Sequence, residues 1–253
     1  MACTSEPLVS YTTADLTQTS SGEGSSSTDL DGSTDTETTT GDGTGDGLEP
    51  ADGVTTDDRE CRGRKIYVAL EGRTLTTGPE DDAPNDVTVF SWPEVISTLD
   101  YDGDGQAFVD ALQALFEPFA VCVTAERPAD GPYDMVVFAT NGPLSDDFRS
   151  LAMHDCLDEN PSNLVFVFIH EPGSDDVRAK SAAFSLGTTM GLNAQDTNPN
   201  DIMHQGGDLA HEHREWLDVC IPVSNGHCMT SDECEAGEQN SYRHMMATLG
   251  PAE

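Results

Sequence analysis

Hydrophobic and polar residues follow regular patterns only after residue 60, where they predict alternating strands and helices. Short runs rich in strand-forming residues predict four strands. These are KIYVALE at 65–71, AVCVTA at 120–125, YDMVVFAT at 133–140 and LVFVFIH at 164–170. The last run is apolar along its whole length, so we expect a central strand that is buried on both faces.

Apolar residues at helical spacing predict three helices. The first covers 106–119, because four large apolar side chains share one face before Pro118 stops the helix: Phe108, Leu112, Leu115 and Phe116. The second covers 175–190 and has Ser174 as its N-cap. The third covers 238–249 and ends at Gly250-Pro251.

The order of these elements predicts the fold class. It reads strand, helix, strand, strand, a short edge strand, strand and helix, followed by an irregular C-terminal part with a final helix. We therefore expect an α/β (α+β) fold with a mixed sheet, two main helices and a small irregular C-terminal subdomain. A generic three-layer α/β domain would give a similar order. The predicted division is 61–192 for the upper part and 193–253 for the lower part.

Residues 1–60 differ from the rest because they are rich in Ser, Thr, Gly and Asp and contain few large apolar residues. Such a segment cannot bury enough surface to offset the entropy of ordering, so we expect a disordered acidic tether. The acidic excess also extends into residues 61–253, and the whole chain has a formal net charge of −36. Repulsion of this size argues against nucleic acid and anionic membrane surfaces as partners.

The cysteines predict an oxidising compartment. Six of them follow the tether: Cys61, Cys122, Cys156, Cys220, Cys228 and Cys234. An even number without CxxC pairs favours disulfides over a zinc-thiolate site, although the spacing cannot choose among the pairings. The seventh, Cys3, lies between a small residue and the polar tether, which resembles the mature start of a bacterial lipoprotein. The alternative is a free cysteine near a terminus.

The segment 181–204, SAAFSLGTTMGLNAQDTNPNDIMH, combines a helical stretch, a break at Gly191 and a polar loop that leads to Met203. This layout resembles the active-site segment of the metzincin zinc endopeptidases, in which HExxHxxGxxH precedes a methionine turn. The likeness to secreted bacterial metzincin-like proteins of the lipoprotein type covers about residues 61–250. It includes KIYVALEGRTLT, the strands up to VVFAT, NPNDIM and EQNSYRHMMATLG.

The resemblance implies a zincin fold, with Gly191 as the bend and Met203 as the methionine turn, but it departs at the catalytic positions. The three ligand positions are Phe184, Thr188 and Ala194, and the general-base position is Ser185. Phe and Ala cannot ligate zinc, hydroxyls are poor zinc ligands, and Ser lacks the basicity of the missing Glu. An ordinary core helix would explain the same residues.

We therefore expect a secreted or surface-tethered pseudo-peptidase of the cell envelope, with no cofactor. Its partner would be a protein or peptide held in the remnant cleft beside the edge strand. A membrane would be contacted only through an N-terminal lipid anchor.

Two alternatives keep a metal. A divergent zinc endopeptidase would use relocated ligands from His204, His211 and His213. A calcium-stabilised structural domain would use Asp100, Asp102 and Asp104, which occupy the first, third and fifth positions of a calcium loop. The twelfth position is Ala111, where a calcium loop has a bidentate Glu. An acidic surface turn is the alternative for these three aspartates.

Overall fold

The computed structural model describes residues 61–90, 98–140, 149–169, 174–205, 214–224, 226, 228 and 234–252. The predicted tether at 1–60, Cys3, His211 and His213 lie outside the described residues. The elements in chain order are β1 (Arg64–Ala69), β2 (Thr76–Thr77), β3 (Val87–Thr88), β4 (Thr98–Leu99), α1 (Gly105–Leu115), β5 (Val121–Thr124), β6 (Asp134–Ala139), β7 (Ser150–Ala152), β8 (Leu164–Phe168), α2 (Asp175–Thr189), β9 (Ile221–Pro222), β10 (Glu238–Gln239) and α3 (Ser241–Leu249).

The main sheet is mixed and has the strand order β5-β1-β6-β8-β7, with β4 also paired to β6. Strands β5, β1, β6 and β8 run parallel to one another, whereas β7 is antiparallel to β8 and β4 is antiparallel to β6. The predicted central strand at 164–170 is confirmed as β8, and every residue of β6 and β8 is buried. At this level the predicted α/β (α+β) class is confirmed.

Side-chain caps mark the first turns of α1 and α2. Asp104 caps α1 by accepting hydrogen bonds from the backbone N–H groups of Gln106 and Ala107. The predicted cap Ser174 is confirmed, because its hydroxyl accepts from the Val177 N–H at the start of α2. The predicted C-terminal helix begins at Ser241 rather than 238, because Glu238–Gln239 pairs with β9 as a strand.

The two faces of the sheet are covered differently. Helices α1 and α2 cover one face, where they form a core cluster with alternate residues of the strands, including Ile66, Val68, Val136, Phe138, Val165 and Val167. The intervening strand residues point to the other face. There they form a second cluster with loop residues of 75–90. The helix-covered cluster also contains Met203, Trp216 and Met245, so the C-terminal part of the chain shares this core.

Three disulfides join the six cysteines that follow the tether, as the even count predicted. They link Cys61 to Cys122, Cys156 to Cys228, and Cys220 to Cys234. The first ties the start of the domain to β5, and the third closes a loop within the C-terminal part. All described residues belong to one compact unit. In this part of the chain no helix is long and apolar enough to cross a membrane.

Candidate functional site

The four residues at the catalytic positions of the motif are buried. Phe184, Ser185 and Thr188 lie on α2 and Ala194 follows the helix exit, and none of the four is more than 4% exposed. The Ser185 hydroxyl donates to the Ser150 hydroxyl at 2.8 Å, on the edge strand β7. These positions are therefore occupied by packing rather than arranged around an open metal site.

The remaining hydroxyls near the motif also bond within the protein. Ser150 Oγ donates to the Ser181 carbonyl at 2.9 Å, and Thr188 Oγ1 donates to the Phe184 carbonyl at 3.2 Å. The second of these bonds closes back onto the preceding turn of α2. This bond holds the Thr188 side chain against its own helix.

Gly191 directly follows Met190, the C-cap of α2. It has a φ of +92°, a conformation that glycine adopts without steric cost. The Leu192 N–H donates to the Gly187 carbonyl at 2.9 Å and the Gly191 N–H to the Thr188 carbonyl at 3.3 Å, which is a Schellman motif. A Cβ at position 191 would lie 3.0 Å from the Cys156 carbonyl oxygen, so the site needs glycine for space as well.

Met203 is fully buried and lies against α2. A Cβ added to Gly187 would come within 2.6 Å of the Met203 Sδ, and Gly187 directly precedes the second ligand position. The methionine is therefore placed beneath the part of the helix that carries the motif. It packs there as a core residue, next to Trp216.

The turn before Met203 is held by the carboxylate of Asp201. This group accepts hydrogen bonds from the Met203 N–H at 2.7 Å, the Ser241 hydroxyl at 2.6 Å and the Leu217 N–H at 3.3 Å. Burial raises the pKa of Asp201, and the three donors oppose that shift. Asp201 thus joins the turn to the start of α3, which gives the NDIM sequence a structural role.

The third ligand position is enclosed by the C-terminal part. The backbone of Asn193 makes two hydrogen bonds with the side chain of Gln239. The Asn193 N–H donates to Gln239 Oε1 at 2.8 Å, and the Asn193 carbonyl accepts from Gln239 Nε2. The Asn193 side chain bonds both backbone groups of Cys228, and the Ala194 carbonyl accepts from the Ser224 N–H. No side chain of this network replaces the missing histidine.

Of the three predicted zinc ligands, one lies in the described part of the chain. His204 is 9% exposed, and Arg214 donates to its backbone carbonyl at 2.9 Å, whereas His211 and His213 lie outside the described residues. Within the described ranges, no three or more His, Cys, Asp and Glu side chains form a group that could hold a metal ion.

The three aspartates of the predicted calcium loop each have a protein partner. Asp100 accepts from the Gly72 N–H at 2.8 Å, Asp102 forms an ion pair with Arg178 at 2.7 Å, and Asp104 caps α1. The carboxylates are therefore used to fix the connection into α1. Calcium binding at this loop stays a prediction.

The edge strand β7 does not present a free edge to solvent. Ser150 is 6% exposed, and Leu151 and Ala152 are fully buried. A peptide could pair with this strand only if the atoms that bury it moved away. The cleft expected beside the edge strand is therefore not an accessible groove at these three residues.

A cavity of about 540 Å³ lies beside the other face of the sheet, between the loop at 79–89 and the loop at 153–163. Its lining residues are Pro79, Glu80, Asp81, Val89, Met153, His154, Asp155, Glu159, Asn160, Pro161 and Asn163. Val89 and Met153 pack against the core cluster of that face. We refer to this space as the acidic cavity.

The walls of the acidic cavity are fixed by hydrogen bonds. Asp81 is almost fully buried and accepts from the Val89 N–H at 2.8 Å, and burial raises the pKa of its carboxyl. The Asn160 side chain donates to the Asp81 carbonyl at 2.9 Å, and the Asn160 N–H donates to Asp155 at 2.7 Å. Sequence reasoning missed this site because its walls are two polar loops without a motif, about 70 residues apart along the chain.

Comparisons with known proteins leave the resemblance to metzincins resting on the residues alone. The chain matches no protein-family model, no curated protein and no solved structure.

Proposed function

We propose that this chain is a metzincin-like pseudo-peptidase that binds a protein or peptide and does not hydrolyse it. The observation that carries the proposal is the state of the motif. Phe184, Ser185, Thr188 and Ala194 stand where hydrolysis needs three zinc ligands and a base, and all four are packed into the interior. A zinc hydrolase needs protein ligands for the metal and one coordination position left open for water. These four side chains supply no such ligands.

The order of the elements supports the metzincin-like fold. After β1 and three two-residue strands, the chain forms α1, two strands, the short antiparallel edge strand β7, a further strand and α2. A glycine with positive φ ends the second helix, and the buried Met203 packs against that helix at Gly187. These are the shape features that the motif implies in the absence of its ligands.

The three disulfides support a location outside the cytoplasm, since such bonds persist in oxidising compartments. The proposed form is a secreted protein or a cell-envelope lipoprotein attached through Cys3. Attachment would place the domain at the end of an acidic tether of about 60 residues. Mass spectrometry of the mature N-terminus tests this part, and an unmodified Cys3 in a membrane-free fraction would leave only the secreted form.

The loss of catalysis is tested by zinc content together with proteolysis. The full chain, dialysed against zinc and then against buffer, is expected to contain zinc well below one equivalent and to leave casein uncut. One zinc per chain, with hydrolysis abolished by a chelator, would overturn the proposal. Loss of that zinc in His204→Ala would then assign it to the relocated ligand set.

A further inference from the structure

Acidic side chains predominate among the charged residues that line the acidic cavity, and this indicates the charge of the ligand that would bind there. Four of its lining residues carry carboxylates, namely Glu80, Asp81, Asp155 and Glu159, and the one basic side chain among its described lining residues is His154. Two arginines that contact its loops are already ion-paired with aspartates, Arg127 with Asp86 and Arg64 with Asp134 and Asp158. The electrostatic complement of the cavity is a cation.

The cavity also has the size and the apolar surface of a ligand site. Its volume of about 540 Å³ falls within the range of small-molecule pockets. Val89 and Met153 add apolar surface that packs against the core of the sheet, and Pro79 and Pro161 lie at the exposed rim. Such a lining can contact an alkyl stem while the carboxylates contact a charged head group.

The arrangement of the carboxylates disfavours a metal ion as the occupant. In the described part of the chain no three acidic, His or Cys side chains are grouped to hold a metal ion. Asp81 and Asp155 already accept hydrogen bonds from backbone N–H groups that position the walls. Carboxylates distributed around a cavity suit a multi-donor organic cation, which can bond to several acceptors at once.

We propose that the acidic cavity binds a guanidinium or ammonium group on an alkyl chain. The source is an arginine or lysine side chain of a partner protein or a free alkylamine, which share this chemistry. The proposal names the ligand class for the binding function proposed above and rests on it. Zinc and proteolysis assays test the loss of catalysis, whereas the cation titration below tests the cavity, so the two can fail separately.

Met153 offers a direct probe, because it lines the cavity and is one of 8 methionines in the chain. The full chain with methyl-labelled methionine is titrated with agmatine and with the peptide Gly-Gly-Arg-Gly-Gly, while methyl NMR signals are recorded. The expected result is a saturable shift of the Met153 signal and no shift of Met245, which is fully buried in the helix-covered core. A peptide in which citrulline replaces arginine is expected to give no saturable shift.

A matched pair of double variants separates the cavity from the overall charge. Glu80→Gln with Glu159→Gln removes two exposed carboxylates from the cavity and is expected to weaken binding roughly fivefold. Glu117→Gln with Glu126→Gln removes the same charge from exposed positions outside the cavity lining and is expected to leave the dissociation constant within about twofold. If the first double variant fails to fold, each Glu→Gln single variant is compared with its control.

The outcomes decide between the sources and test the site. Equal affinity for agmatine and the arginine peptide supports a free amine or guanidine as ligand, and tighter binding of the peptide supports a partner protein. Absence of a saturable Met153 shift, equal binding of the citrulline peptide, or equal weakening by the two double variants would overturn the proposal. A calcium titration that saturates the same signal more tightly than agmatine would also overturn it.

Discussion

The two regions joined by the Cys156–Cys228 disulfide differ in how they use the space around the sheet. On the helix-covered face, Phe184, Ser185, Thr188 and Ala194 are packed into the core, and none of them is more than 4% exposed. Beside the other face, two polar loops leave a cavity of about 540 Å³ lined by carboxylates. The segment that resembles a metzincin motif is packed into the core. The cavity lies instead between two loops that carry no motif.

The Cys156–Cys228 disulfide couples these regions, so its removal is expected to have the largest effect. Cys156 is part of the loop at 153–163, and Cys228 bonds the Asn193 side chain beside the motif. Replacing both cysteines with serine removes a covalent bond between residues that are 72 positions apart in the sequence. The unfolding free energy should fall by about 4 kcal/mol, because the unfolded chain is no longer constrained by that loop. The cavity should then lose ligand affinity as well.

The control for this variant is the disulfide from Cys220 to Cys234, which spans only 14 residues. Its replacement with serine should cost about 3 kcal/mol and leave the cavity intact. Guanidinium unfolding without reductant gives both free energies. An equal or smaller loss in the Cys156–Cys228 variant would show that the two regions are not coupled through this bond.

Asp201→Ala is expected to have the next largest effect, confined to the helix-covered region. The change leaves the N–H groups of Met203 and Leu217 and the hydroxyl of Ser241 without their buried acceptor. The unfolding free energy should fall by roughly 3 kcal/mol in denaturant titration. The exposed Asp218, which pairs with Arg243, serves as the control, and Asp218→Ala should change stability much less.

Gly191→Ala tests whether the helix exit needs glycine for both conformation and space. The residue combines a φ of +92° with a close approach to the Cys156 carbonyl, so alanine should destabilise the protein by about 2 kcal/mol. Gly237 has a φ of +90° with nothing within 4 Å of an added Cβ, so Gly237→Ala should cost only the conformational term of about 1 kcal/mol. Equal losses in thermal unfolding would show that the contact with Cys156 does not matter.

The smallest expected effect is a pH dependence that arises from Asp201. Because burial raises its pKa in the folded protein, the folded state binds this proton more tightly than the unfolded state. Its stabilising contribution is fully present below the unfolded pKa of about 3.9 and is lost as the pH rises through the raised value. Wild type should therefore gain stability relative to Asp201→Asn as the pH falls from neutral. A difference that is flat or reversed over this range contradicts the assignment.

The long elements could be predicted from the sequence because they bury whole faces. The strands at 65–71 and 164–170 and the helix at 175–190 show apolar runs or capping residues that the structure confirms to within a few residues. Two-residue strands such as β2 and β9 could not be predicted, since they are too short to show a period. The pattern predicts a helix from 238, three residues before α3 begins, because the pairing of Glu238–Gln239 with β9 leaves no local signal in the sequence.

The site was predictable only where a motif marked it. Gly191 lies at the exit of α2 and Met203 packs against that helix at Gly187, and both positions are singled out by the resemblance. The role of Asp201 depends on Ser241 and Leu217, which meet it only in the folded chain. The acidic cavity lies between two loops that are distant in the chain, and one of them contains Cys156, which pairs with Cys228. Spacing alone could not choose that pairing.

The central proposal is that the helix-covered region resembles a metzincin active site that does not bind zinc. A zinc titration of the full chain, followed through the methyl signal of Met203 beneath the motif, tests it most directly. The Met203 signal is expected not to move at one equivalent of zinc. A saturable shift of the Met203 signal at one zinc per chain would contradict the account.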